Sequence, residues 1–302
     1  MRGEFVGLAA DQCVDHLLAF ASDVERLGFD SVWLYDHLLP VPPSPSPSLE
    51  AWTSLAGLAH ATKRVRLGTM VTSISFRNPA HLAKMASTLD GLSGGRLEFG
   101  LGAGWYEEEH RAFGYPFPSP GERSRRLSEG LQVILKLWTG DRTTFTGEYF
   151  STRDAWCWPR PVQSPHPRVW VGGRGERITL RVAATYADAW NLSGGSIDEF
   201  RAKSRVLEKW CETASRDPAS LIRSLEHHCV IVDGPSELAR IRRQYPYLRS
   251  QRGDDSTAQP FIGRPADVKA RIEESIEAGV SYFVFSVPDA ELLSRLAATV
   301  LD

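Results

Sequence analysis

Leu67–His110 reads LGTMVTSISFRNPAHLAKMASTLDGLSGGRLEFGLGAGWYEEEH, and the fold is decided inside this stretch. A β-rich run ends in a polar turn. Asn78-Pro79 then supplies a helix cap and a first-turn proline, and Leu82, Met85, Ala86 and Leu89 recur at helical spacing. A Gly-Gly turn leads into a second strand, Arg96–Leu101. That strand stops at Gly102-Ala103-Gly104, followed at once by Trp105 and three carboxylates. A strand–helix–strand unit with its glycines and charges at the strand C-termini is the arrangement from which α/β enzymes build sites.

The same alternation continues on both sides. Glu4–Leu8 reads as a first strand. Asp11 caps a helix with Val14, Leu17, Leu18, Ala21, Val24 and Leu27 on one face, closed by Gly28. Ser31–Tyr35 is a second strand, running into Asp36-His37 and a proline-rich loop from Val41. A short helix with Trp52, Leu55 and Leu58 precedes the third strand, Val65–Val71. Beyond the central unit, Ser119-Pro120 opens a helix closed by Gly140, and a hairpin is expected over Thr143–Phe150. Prolines keep the segment from Pro159 extended. Val169–Val171 is a strand ending at Gly172-Gly173-Arg174-Gly175, which opens a helix through Tyr186. Asp188–Leu192 ends at Ser193-Gly194-Gly195-Ser196, and a helix over Ile197–Ala214 leads to a strand at Ser224–Val232. Residues 245–262 read as an irregular surface segment. A helix over Ala266–Ala278, a strand at Tyr282–Val287 and a final helix from Asp289 complete the chain. Eight strands, mostly followed by helices, predict an α/β fold: a closed (β/α)8 barrel in one domain over 1–302.

Composition narrows the function. With 302 residues and 42% hydrophobic content the chain can bury a large core. A net charge of −2 provides no basic field for nucleic acid or an anionic membrane. No apolar run approaches the roughly 20 residues of a spanning helix. Cys13, Cys157, Cys211 and Cys229 form no C-x-x-C pair and no signal-peptide pattern precedes them, so a cytoplasmic protein with reduced thiols is expected. His227, His228 and Cys229 imitate a metal cluster, but adjacent strand residues point to opposite faces, and no metal is expected.

Five segments in order, GFDSVWLYDHL, GTMVTSISFRNPA, LSGGRLEFGLGAGWYEEEH, PVQSPHPRVWVGG and TYADAWN, resemble the bacterial luciferase-like superfamily. More narrowly they are similar to its branch that uses the deazaflavin coenzyme F420. The resemblance covers nearly the whole chain; residues before Asp11 match poorly. It implies a TIM barrel of the luciferase-like type with loop insertions. It also implies an oxidoreductase moving a hydride between F420 and a small organic substrate. A deazaflavin has carbon in place of N5, so it carries hydride and reacts poorly with oxygen. The alternative within the superfamily is a monooxygenase using reduced flavin mononucleotide (FMN) and O2, supplied by a separate reductase. A non-catalytic cofactor-binding barrel is a third reading. Homodimers are common among such proteins.

The site residues follow from both sources. As a bare dipeptide, Asp36-His37 is equally well a loop histidine bonded to its neighbour. In the resembling proteins a histidine here lies against the deazaflavin ring, and an imidazole near neutrality suits a substrate hydroxyl. The resemblance implies a non-prolyl cis peptide beside Met70, with Val71 pressed on the back of the ring and Thr72 next to it; sequence alone suggests an ordinary strand. Gly102, Ala103 and Gly104 let backbone approach a planar ligand. Trp105, a candidate catalytic-site residue, either stacks on the ring, walls the substrate pocket or packs in a core. Glu107, Glu108, Glu109 and His110 cannot all face a pocket, and Glu108 is the candidate catalytic carboxylate. In sugar-phosphate dehydrogenases of this family a glutamate stands where this chain has Trp105. That departure weakens a sugar-phosphate substrate and leaves the proton donor open. Gly172, Gly173 and Arg174 form a candidate phosphate site, with Asn191, Ser193 and Gly194 one strand on.

Overall fold

The computed structural model describes Phe5 and residues 8–41, 46–248 and 261–301. In chain order the elements are α1 (Ala10–Leu27), β1 (Ser31–Leu34), α2 (Ala51–Ala61), β2 (Arg66–Thr69), β3 (Thr72–Ser73), α3 (Pro79–Leu92), β4 (Leu97–Gly102), α4 (Glu107–Ala112) and α5 (Pro120–Thr139). Then come β5 (Thr143–Thr146), β6 (Ser151–Ala155), β7 (Arg168–Gly172), α6 (Thr179–Tyr186), β8 (Ala189–Ser193), α7 (Ile197–Thr213) and β9 (Ile222–His228). The chain continues through β10 (Val230–Ile231), α8 (Pro235–Gln244), β11 (Ile262–Gly263), α9 (Pro265–Glu277), β12 (Tyr282–Ser286) and α10 (Ala290–Val300). The local signals act where the sequence places them. Gly28 ends α1 at φ 97°, and the Asn78 side chain accepts from Ala80 N–H ahead of Pro79.

The main sheet is wholly parallel, in the order β1-β2-β4-β7-β8-β9-β12, with β3 also on β4. It curls until its edges approach. Ser31 Oγ and Tyr282 OH, on the two edge strands, lie 2.6 Å apart. This is a nearly closed (β/α) barrel with helices on its outside. Of the predicted first strand, only Phe5 and Leu8 are described, with Leu8 N–H bonded to the Phe5 carbonyl, and the rest lies outside the described residues.

Two apolar clusters hold the layers. The larger joins helices to the outside of the strands, with Leu55, Leu82, Phe99, Trp138 and Phe200 fully buried. The smaller plugs the barrel: Trp170 packs edge-on to Trp33 and Tyr282, at 4.9 and 5.0 Å between ring centroids, and Met70 lies against this group. Glu98, buried in the wall, accepts from Arg66 and the Trp170 indole N–H and forms an ion pair with Arg168 at 3.2 Å. A carboxylate buried there is matched by charge and donors, as burial requires.

Several boundaries differ from the sequence reading. The third strand breaks at Met70-Val71 into β2 and β3. The hairpin spans β5 and β6, to Ala155, with Gly147–Phe150 as its turn. The helix after Gly172–Gly175 begins at Thr179, because a turn over 176–178 intervenes. The strand at 224–232 is β9 plus a separate β10 that pairs with β11. Helices α4 and α8 had not been anticipated. Among the described residues no helix is long and apolar enough to cross a membrane, and no cluster of His, Cys, Asp or Glu is placed to hold a metal ion. All four cysteines are free and buried.

Candidate functional site

The C-terminal ends of the barrel strands surround a cavity of about 530 Å³. It gathers most of the residues singled out in the sequence: Asp36 and His37 after β1, Met70, Val71 and Thr72 at the β2–β3 break, Gly102 at the end of β4 with Ala103, Gly104 and Trp105 beyond it, Gly172 at the end of β7 with Gly173 and Arg174 beyond it, and Asn191 and Ser193 on β8. Glu108 and Gly194 do not line it. Glu109, which the sequence reading set aside in favour of Glu108, does, as do Tyr35, Ser73, Thr179 and Glu226, which it did not single out for the site.

The carboxylate stretch resolves on α4. Glu108 is exposed and accepts from the Tyr106 hydroxyl at 3.1 Å. Glu109 is turned inward, only 2% exposed. Its two oxygens lie 2.9 Å from His37 Nδ1 and 2.9 Å from Leu38 N. A carboxylate accepts only, so Nδ1 carries a proton, and in the neutral ring the lone pair is on Nε2. Nε2 makes no hydrogen bond among the described residues.

Asp36 does not bond its neighbour His37. Its oxygens take both guanidinium nitrogens of Arg77, at 2.6 and 2.9 Å, and Arg77 also reaches Glu50 at 2.7 Å. Burial pushes the Asp36 carboxyl up to about 6, against the downward pull of Arg77. The clamp fixes the loop that carries His37.

The Met70-Val71 peptide is cis, as the resemblance implies. Val71 occupies space that glycines leave. A Cβ on Gly102 would sit 2.6 Å from Val71 Cγ2, and one on Gly172 would sit 2.9 Å from Val71 Cγ1. Three strands thus converge on one valine at the cavity floor. Beside it, Thr72 Oγ1 is engaged by Trp52 Nε1 at 3.0 Å and by Thr69 Oγ1 at 2.8 Å.

On the far side, Arg174 donates to Ser193 O at 2.6 Å and to Glu199 at 3.2 Å, with half its side chain exposed. Glu226, buried on β9, accepts from the Tyr35 hydroxyl and from Asn191 Nδ2 at 3.1 Å, while Ser224 Oγ donates to Asn191 Oδ1 at 2.9 Å. Ser224 and Glu226 are two apart on one strand and share the inner face; period-two spacing could have found Glu226. His227 turns away to bond Gly195 O at 2.9 Å.

Residues 3–260 match the family model described as luciferase-like monooxygenase. Over 97% of its length the chain is 29% identical to an F420-dependent glucose-6-phosphate dehydrogenase of Kineococcus radiotolerans, covering 94% of that protein. It is 32% identical to an F420-dependent hydroxymycolic acid dehydrogenase of Mycobacterium tuberculosis, over 77% of this chain and 64% of that one. An F420-dependent secondary alcohol dehydrogenase, solved with an F420-acetone adduct, superposes with a TM-score of 0.82 at 22% identity over 94% of both chains. With a family model spanning most of its length and the barrel that model describes, the chain belongs to the luciferase-like monooxygenase family.

Proposed function

We propose that the protein is a coenzyme F420-dependent oxidoreductase, a cytoplasmic single-domain barrel that moves a hydride between the deazaflavin and a small organic substrate. The observation that carries this reading is His37, oriented by Glu109 through Nδ1, at the edge of a cavity floored by Val71. The F420-dependent dehydrogenases among its relatives support it.

The residues present fit the cofactor. The cavity is of the size that takes a drug-sized ligand. Gly102 and Gly172 leave a smooth floor at Val71 against which a planar ring packs, and Arg174 offers a cation to an anionic tail. When bound, F420 supplies a carbon that accepts or donates hydride. The chain supplies the rest. His37 Nε2 takes the hydroxyl proton of an alcohol, or returns it to a carbonyl oxygen. Glu109 holds the imidazole in the required tautomer and balances the charge it gains. Arg77 and Asp36 hold the loop from behind.

A titration of the purified protein with F420 and, side by side, with FMN tests the reading. Micromolar F420 binding with much weaker FMN binding is expected. Preference for FMN would move the protein to the monooxygenase reading, with reduced flavin from a separate reductase and oxygen consumption as the next measurement.

A further inference from the structure

The walls of the cavity carry a charge pattern that selects among substrates. Three carboxylates line it: Asp36, Glu109 and Glu226. Among the described residues Arg174 is the one Lys or Arg that does. Asp36 is matched by Arg77. Glu109 and Glu226 accept from uncharged donors, namely His37 and Leu38 N–H for the first, and Tyr35 and Asn191 for the second. Arg174 follows β7, three strands round the sheet from the β1 end that bears His37, and is tied to Ser193 and Glu199.

The surface beside His37 is aromatic. Its ring meets Trp105 edge-on at 5.7 Å and Tyr106 at 5.9 Å, and the two aromatic rings lie 5.4 Å apart. Trp105 is 61% exposed at the mouth. An indole left open beside a candidate base is an apolar surface for a ligand to cover.

We infer that the substrate is an uncharged alcohol, or the matching carbonyl compound, with an aromatic or aliphatic body that lies on Trp105. Phosphorylated sugars and carboxylates are excluded by two unmatched carboxylates and by the absence, among the described residues, of any Lys or Arg lining the cavity other than Arg174. This rests on the F420 reading for its chemistry. In the oxidising direction the carbinol C–H bond breaks and its electron pair passes as hydride to the bound deazaflavin. The O–H proton passes to His37 Nε2, and C=O forms. The alcohol is oxidised and the deazaflavin reduced.

The test uses a matched pair of ketones, acetophenone and 4-acetylbenzoate, which differ in one carboxylate, with glucose-6-phosphate as a third probe. F420 binding is first read alone by titration; its failure would sink the cofactor reading and leave the charge argument to be judged on the ketones with the bare protein. Calorimetric titration of the loaded protein should give acetophenone at least about tenfold tighter than either anion. Trp105→Ala should weaken acetophenone about tenfold, and Trp105→Lys should shift preference toward 4-acetylbenzoate. Equal or tighter binding of 4-acetylbenzoate or glucose-6-phosphate by the parent, or no acetophenone binding at all, overturns the inference.

Discussion

Glu109 Oε1 lies 2.9 Å from His37 Nδ1, across 72 positions of sequence. The contact joins the end of β1 to the first turn of α4 and decides which nitrogen of the ring is basic. Glu109→Gln retains one acceptor for two donors, so either His37 or Leu38 N–H loses its partner. Turnover should fall about 10- to 100-fold, less than the roughly 100- to 10,000-fold expected of His37→Ala, with F420 affinity unchanged in both. Glu108→Gln, on the outer face, should stay within about twofold of the parent. Steady-state rates with F420 titrations on the three variants check this, and equal losses for Glu108 and Glu109 would refute the assignment.

Arg174 lines the cavity and is the cation proposed for the cofactor's anionic tail. It already spends one nitrogen on Glu199, and it is half exposed, so its contribution is screened. Arg174→Gln should weaken F420 about tenfold and flatten the salt dependence of binding. Titrations at low and high salt read both. An unchanged dissociation constant at low salt would place the tail elsewhere.

Val71 and Gly102 form a tight pair. Gly102→Ala adds a Cβ 2.6 Å from Val71 Cγ2 and must push that side chain toward the cavity. A loss of about 1–3 kcal/mol is expected from overpacking, together with weaker F420 binding. Val71→Ala in the same chain should restore much of the stability, because it removes the methyl that collides. Denaturant midpoints for the four proteins of the cycle measure the coupling; additive losses would mean that the two residues do not share this space.

How much of this was readable in sequence follows from distance along the chain. Helix ends such as Gly28 and Asn78-Pro79 are local, so their residues announce them. The glycine-rich strand ends were equally visible. What they do was not. Gly102 and Gly172 make room for Val71, a relation among three strands that spacing cannot express. Glu109 rather than Glu108 faces inward because α4 begins at Glu107 and docks by His110, which is fully buried; four consecutive polar residues carry no periodicity to set that phase. Asp36 could pair with the adjacent His37 or with any distant cation, and only the folded chain brings Arg77 to it, 41 positions on. The late start of α6 has the same origin: glycines permit a turn without dictating where the helix resumes.

His227 gives the pH dependence a defined sign. Burial pushes its imidazole down to about 4 from an ordinary value of 6.5, Arg174 pushes the same way, and the Gly195 carbonyl opposes. The folded protein therefore refuses a proton that the unfolded chain accepts. This contribution to stability is full above about pH 6.5 and is lost as pH falls toward 4, by on the order of 3 kcal/mol at the lower end. Asp36 works against it: with its carboxyl raised to about 6 from 3.8, the folded state takes up a proton first, and stability grows as pH falls through that range. The parent's profile sums the two, so the informative quantity is a difference. His227→Gln keeps a donor for the Gly195 carbonyl and cannot ionise. Between pH 7.5 and 5 it should lose less stability than the parent in chemical denaturation, whereas parallel profiles would show that His227 does not resist protonation in the folded state.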